Sequence, residues 1–137
     1  ALIERGLIRP SSRAALHALR VGRLSLARRL IARNISRTTL SPALVAELLG
    51  ISVRHLHILF ETTEISFAQT VTAERLAESR RLLTQPREQS ISEVALACGF
   101  NSLATFYRAF QAAHGMSPGS FRATQMTLGE DGLQLQR

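Results

Sequence analysis

The sequence predicts an all-α fold in which two helix-turn-helix subdomains are joined by a long linker helix, with an extra helical segment on the N-terminal side. Three observations predict it. β-branched residues are sparse, and no stretch alternates convincingly between polar and apolar. Apolar residues recur instead at helical spacing through most of the chain. A capped short helix ending at Gly, Ser41 to Gly50, returns 49 residues later as Ser90 to Gly99.

Residues 11–34 place Ala15, Leu16, Leu19, Leu24, Ala27, Leu30 and Ile31 at near-helical spacing, with Arg filling much of the other face. This reads as one or two amphipathic helices. Ser11 and Ser12 after Pro10 can cap the start, and Gly22 reads as a break before a helix over about 23–35. Each copy of the repeat then follows one grammar. A small Ala46 or Ala95 lets a second helix cross closely over the first, Gly50 or Gly99 supplies the turn, and Leu56 or Phe106 locks the crossing. Ser52 and Ser102 can cap the second helices, whose apolar pairs Leu56/Phe60 and Phe106/Phe110 lie 50 apart, so the second turn is one residue longer. Between the copies, residues 66–84 form one amphipathic helix with Phe67, Val71, Leu76, Leu82 and Leu83 as its buried positions. At 1.5 Å per residue it spans ~28 Å, comparable to one turn of duplex DNA. The expected organisation is a linker or upstream-domain remnant at 1–22, a first subdomain at 23–65, the linker helix at 66–84, a second subdomain at 85–124 and a flexible tail at 125–137.

Composition bounds the function. A chain of 137 residues with 45% hydrophobic and 20% charged residues is an ordinary globular domain, with no apolar run near the ~20 residues of a membrane span and no signal peptide. A cytoplasmic protein is expected. The lone Cys98 supports neither a disulfide framework nor a zinc site, and no phosphate-binding loop, metal cluster or activated nucleophile is present, so no cofactor, metal or catalytic residue is assigned. All 17 basic residues are Arg, and the net charge is +7. The surplus is N-terminal: residues 1–39 carry nine Arg and one Glu, whereas 40–137 carry eight Arg and nine acids. Charge alone therefore argues for a polyanion partner only in the first segment, where the Arg can equally be a solvated helix face. Elsewhere a nucleic-acid role must rest on geometry.

That geometry is a helix-turn-helix, which presents the outer face of its second helix to the major groove. With Leu56, Leu59 and Phe60 turned inward, the outer face of the first such helix carries Val53, Arg54, His57, Ile58 and Glu61. Its counterpart carries Leu103, Ala104, Tyr107, Arg108 and Gln111. Arg54 and Arg108 are the sharpest base-reading candidates, because a guanidinium can bridge guanine N7 and O6; phosphate or a local Glu are their alternatives. His57 and Gln111 can hydrogen-bond base edges, and Val53, Ile58, Leu103 and Ala104 can touch thymine methyls or remain spare surface. Tyr107 can reach a phosphate or pack into the core. Ser52, Asn101 and Ser102, at the helix N-termini, are phosphate candidates that can also be plain caps. Arg75, Arg80 and Arg81 on the linker helix read as structural or solvated.

Three stretches, "LSPALVAELLGISVRHLHILF", "RLAESRRLL" and "ISEVALACGFNSLATFYRAFQAAHGMSPGSFR", resemble the DNA-binding domain of the AraC/XylS family of bacterial transcription regulators, over about residues 23–124. The resemblance implies a seven-helix domain that contacts double-stranded DNA as a monomer. It also implies an upstream effector-binding or dimerisation domain, and activation. Two motifs on one chain predict a non-palindromic site, while the Arg-rich residues 11–39 can alternatively pack as a helix pair against a missing domain, a second copy or RNA polymerase. The sequence departs from the family at Glu61-Thr-Thr-Glu64-Ile65-Ser66, which is shorter, acidic and lacks the usual Gly. Ile58 stands where Arg is common, and Gln111, Ala112 and Ala113 replace basic residues, so base and phosphate contacts are expected to differ from those of better-known members.

Overall fold

A computed structural model describes residues 12–86 and 89–135. Among them are seven α-helices and no strand: α1 Arg13–Arg33, α2 Pro42–Leu49, α3 Val53–Glu61, α4 Phe67–Leu83, α5 Ile91–Ala97, α6 Leu103–His114 and α7 Pro118–Leu135. The chain divides into two compact units, one taking residues up to Arg33 with Leu40–Phe67, the other Asn34–Thr39 with the chain from Ala68 onward.

The repeat is a repeat of hydrogen bonds as well as of letters. Ser41 Oγ accepts from Leu44 N at 3.2 Å and Ser90 Oγ from Glu93 N at 3.0 Å, capping α2 and α5. At the turns, Gly50 N donates to Glu47 O and Ile51 N to Ala46 O, at 3.1 and 3.0 Å. Gly99 N to Leu96 O and Phe100 N to Ala95 O, both 3.0 Å, reproduce the pattern 49 residues on. Both glycines are left-handed, φ 70° and 86°, which explains why the turns need them. Between α2 and α3 the chain bends by 98°, the angle of a helix-turn-helix.

Each unit has its own core. In the first, Ala27, Ile31, Val45, Ala46, Leu56, Leu59 and Phe60 are buried, and Phe60 meets Phe67 edge to face at 5.6 Å. In the second, Leu76, Leu83, Val94, Ala95, Cys98, Phe100, Phe106 and Phe110 form one cluster, with Phe106 at 5.0 Å from Phe100 and 5.7 Å from Phe110 between ring centroids. Of the linker-helix positions expected inside, Phe67, Val71, Leu76 and Leu83 are buried and Leu82 is half-buried. Arg75 is structural: its Nε and Nη2 donate to Ile35 O and Arg37 O, tying the 34–39 segment to α4. Arg81 pairs with Glu78 on the same helix. No single helix among the described residues is long and apolar enough to cross a membrane.

Two expectations change. Gly22 does not break a helix: α1 is continuous from Arg13 to Arg33, capped by Ser12, whose Oγ accepts from Ala15 N at 3.1 Å. An interior Gly costs only about 1 kcal/mol, and extending a helix already formed is cheap, so it weakens α1 without ending it. The expected boundary at 22/23 therefore falls inside a helix, and the Ser11 half of the capping expectation lies outside the described residues. At the other end, residues 125–135 of the expected flexible tail are helical. Ser117 and Pro118 start α7, with Ser120 N donating to Ser117 Oγ at 3.1 Å, and extending a started helix costs far less than nucleating one.

Finally, the shortened loop after α3 is closed without glycine. Glu64 takes φ 63°, a left-handed conformation costing a non-Gly residue about 1–2 kcal/mol. Thr63 holds it there. Its hydroxyl lies 2.7 Å from Phe60 O and 2.8 Å from Ile65 O, and accepts from Ile65 N at 3.2 Å.

Candidate nucleic-acid interface

The α3 helix begins at Ser52, whose Oγ accepts from His55 N at 3.0 Å, and α6 begins at Ser102, whose Oγ accepts from Thr105 N at 3.1 Å. Capping is thus the role both serines have in this structure; Asn101 is exposed one residue before the second cap. The caps leave first-turn N–H groups at Val53, Arg54, Leu103 and Ala104 without intrahelical carbonyls.

Burial then orients each helix. Leu56, Leu59 and Phe60 are at most 2% exposed in α3, and Phe106 and Phe110 are fully buried in α6. At 100° per residue this aims Val53, Arg54, His57, Ile58 and Glu61 into an outward arc of roughly 140°. Leu103, Ala104, Tyr107, Arg108 and Gln111 share the same arc on α6, and all ten are exposed. Large apolar residues stand in the open on both faces: Val53, Ile58 and Leu103 are each 41% exposed. Tyr107 is exposed too, with its ring edge-on to Phe106 at 6.2 Å. Each candidate face therefore combines one guanidinium, one hydrogen-bonding side chain or more, and apolar groups that can touch a thymine methyl, with both kinds of base-edge contact available.

Other groups are accounted for by packing. Cys98 is buried, and burial pushes its thiol up to about 12, so it is an inert core residue. His114 sits against Phe110 and Phe121 at 4.5 and 6.2 Å. Arg122 donates to Gln89 O and so tethers α7 to the residue just before the Ser90 cap.

Sequence reasoning missed one feature of the first unit. Arg20, on α1, reaches a cleft of about 380 Å³ shared with Ser52, Arg54, His55, Ile58 and Thr62. Beside it, Arg23 Nη1 approaches His55 Nε2 at 3.4 Å. The signal was present: Arg20 precedes Ala27 by seven and Ile31 by eleven residues, so it lies on the core-facing stripe of α1 rather than on the solvated back.

The comparisons agree with this geometry. A family model described as a helix-turn-helix domain matches residues 45–124. The HTH-type transcriptional regulator GlxA of Rhizobium meliloti (strain 1021) is 42% identical over 93 residues, 67% of this chain and 27% of that protein. The transcriptional activator NphR of Rhodococcus sp is 28% identical over 127 residues, 93% of this chain and 37% of that protein. The chain thus spans only about a quarter to two-fifths of the length of these curated relatives. Among solved structures, the C-terminal domain of AraT, a response regulator from Geobacillus stearothermophilus, has 31% identity and a TM-score of 0.69, covering 74% of this chain and 84% of that one. A transcriptional regulator of Chromobacterium violaceum with an AraC-type DNA-binding domain has 30% identity and a TM-score of 0.71, covering 79% and 96%. A duplicated, serine-capped helix-turn-helix on a seven-helix frame, matched by sequence and by backbone, makes this chain a member of the AraC-type helix-turn-helix family.

Proposed function

We propose that this chain is the sequence-specific DNA-binding module of a bacterial transcriptional regulator, with α3 and α6 each reading bases in a major groove. The observation that carries the reading is the pair of outward arcs, each built on a capped helix whose buried face is fully occupied and each bearing one exposed Arg, Arg54 or Arg108. Because residues 40–137 have no positive surplus, affinity there depends on helix N-termini and fitted contacts rather than on bulk charge. The site is non-palindromic for one chain. Val53, His57, Ile58, Leu103, Ala104, Tyr107 and Gln111 support the two Arg at base edges, and Ser52, Asn101 and Ser102 lie at phosphates. Activation, through contact with RNA polymerase and under control of a further domain of a longer regulator, is the mode favoured by relatives named as activators. The place of action is the nucleoid.

Selection of bound fragments from a random duplex library at near-physiological salt tests this, since nonspecific attraction is already weak there, at ~10⁻⁴–10⁻⁶ M. An asymmetric motif with two informative blocks is expected. Arg54→Ala should relax one block and Arg108→Ala the other, each by about 1–3 kcal/mol of discrimination. Enrichment of no motif, or unchanged preferences in both variants, overturns the assignment.

A second reading concerns α1 alone. Leu16 and Leu19, 39% and 46% exposed, extend the stripe of Ala27 and Ile31 beyond the core, as a helix that packs on another protein surface would. Sedimentation with and without residues 1–22 tests it. Self-association lost on truncation supports a protein-docking role for α1, and a monomer in both forms removes self-association.

A further inference from the structure

The cleft between α1 and α3 holds an unusual charge arrangement. Arg20 and Arg54, from different helices, line it together, and among the described residues no carboxylate does. Neither guanidinium has a hydrogen bond or ion pair among the described residues, whereas the neighbouring Arg23 is engaged with His55. Two like charges lining one concavity raise the local positive potential, which favours an anion beside Arg20 while Arg54 reaches a base edge. The polar wall adds donors of the same kind. Ser52 caps α3 with its own Oγ, which leaves the first-turn amides of Val53 and Arg54 pointing out of the helix at its positive end. Ile58 supplies apolar wall against which a sugar can lie.

We propose that this cleft is a seat for a DNA backbone phosphate, in which Arg20 grips the phosphodiester flanking the bases that α3 reads. The inference rests on the DNA-reading role proposed above and deepens it. Arg20 lies outside the residues 45–124 that the family model matches, so α1 extends the interface beyond the duplicated motif. Part of the N-terminal Arg surplus is thereby a built contact, not a diffuse solvated face.

The test uses the full chain and two duplexes, one carrying the selected motif and one scrambled, titrated across a range of salt. Arg20→Gln should weaken both duplexes several-fold and by the same factor, reduce the slope of log affinity against log salt by about one, and leave the selected motif unchanged. Arg20→Lys should keep most of the slope. Arg29→Gln, the same charge loss on the opposite face of α1, should leave the slope nearly as in the parent. Arg20 is exposed, so an unchanged helical signal and melting midpoint certify the fold of the variant. Parental affinity and slope in Arg20→Gln, or an equal loss in Arg29→Gln, overturns the seat while leaving base reading by α3 and α6 intact. An altered motif in Arg20→Gln overturns it too, because Arg20 would then read a base. Failure of the parent chain to select or bind any duplex removes the functional reading and the seat with it.

Discussion

At the scale of residues, equivalent positions of the repeat do not carry equal loads. Gly50 and Gly99 both sit in the left-handed region, yet a Cβ at Gly50 would meet nothing within 4 Å. At Gly99 it would collide with the Ile35 carbonyl oxygen and press on Arg75 Nε at 3.0 Å. Gly50→Ala should therefore cost about 1 kcal/mol, from the backbone conformation alone. Gly99→Ala should cost more than about 2 kcal/mol, because backbone must also shift. Denaturant midpoints of the two variants check the difference, and equal losses would contradict it. His114 carries a pH dependence. Burial against Phe110 and Phe121, followed by the nearby Arg80, holds it below its ordinary value, so between the two pKa values the unfolded chain binds a proton that the folded chain does not. Stability from this group is complete above the ordinary value of about 6.5 and falls as pH drops through it. Melting midpoints from pH 7.5 to 5 should decline, and more shallowly in His114→Gln; parallel curves would show that His114 does not titrate across folding.

At the scale of elements, most helices follow directly from local chemistry. α2, α3, α5 and α6 each start at the serine cap the sequence offers, and α2 and α5 stop at the left-handed Gly50 and Gly99, because a cap and a left-handed Gly are decided within four residues. α1 shows what local rules misjudge. Gly22 is a weak point rather than a stop, with open space around it and no unusual φ. Gly22→Ala should thus stabilise the chain by about 0.5–1 kcal/mol and raise its helical signal. A loss of stability, read from thermal melts, would mean that the native helix has a kink or contact at that glycine. The same reasoning covers α7, which runs through Gly129 and Gly132 to Leu135.

At the scale of the whole molecule, two cores imply two cooperative regions. Phe106 is fully buried in the second unit, where it meets Phe100, Tyr107 and Phe110. Truncation of such a residue costs about 3–5 kcal/mol. Phe106→Ala should raise amide exchange through α5, α6 and α7 while α1 to α3 keep their protection, because Leu56, Leu59 and Phe60 close a separate core. Uniform loss of protection along the chain would show one cooperative unit instead. Charge is divided at this scale too. The N-terminal 39 residues hold the whole positive surplus, and through Arg20 some of it stands beside α3.

By itself the sequence determined the all-α class, the duplicated helix-turn-helix, the family, and which side chains of α3 and α6 face outward. These are short-range consequences: 3.6-residue periodicity, caps and glycine turns are set by neighbours within a turn or two, and a buried face implies its exposed opposite. The tertiary structure alone decided the rest. That Gly22 lies inside one helix, that Arg75 is spent on the Ile35 and Arg37 carbonyls, and that Arg20 shares a cleft with Arg54 depend on residues 34 to 40 positions apart or on packing of whole helices. No local pattern encodes such distances, because side chains that meet through a core are brought together by the burial of other residues and not by their own spacing.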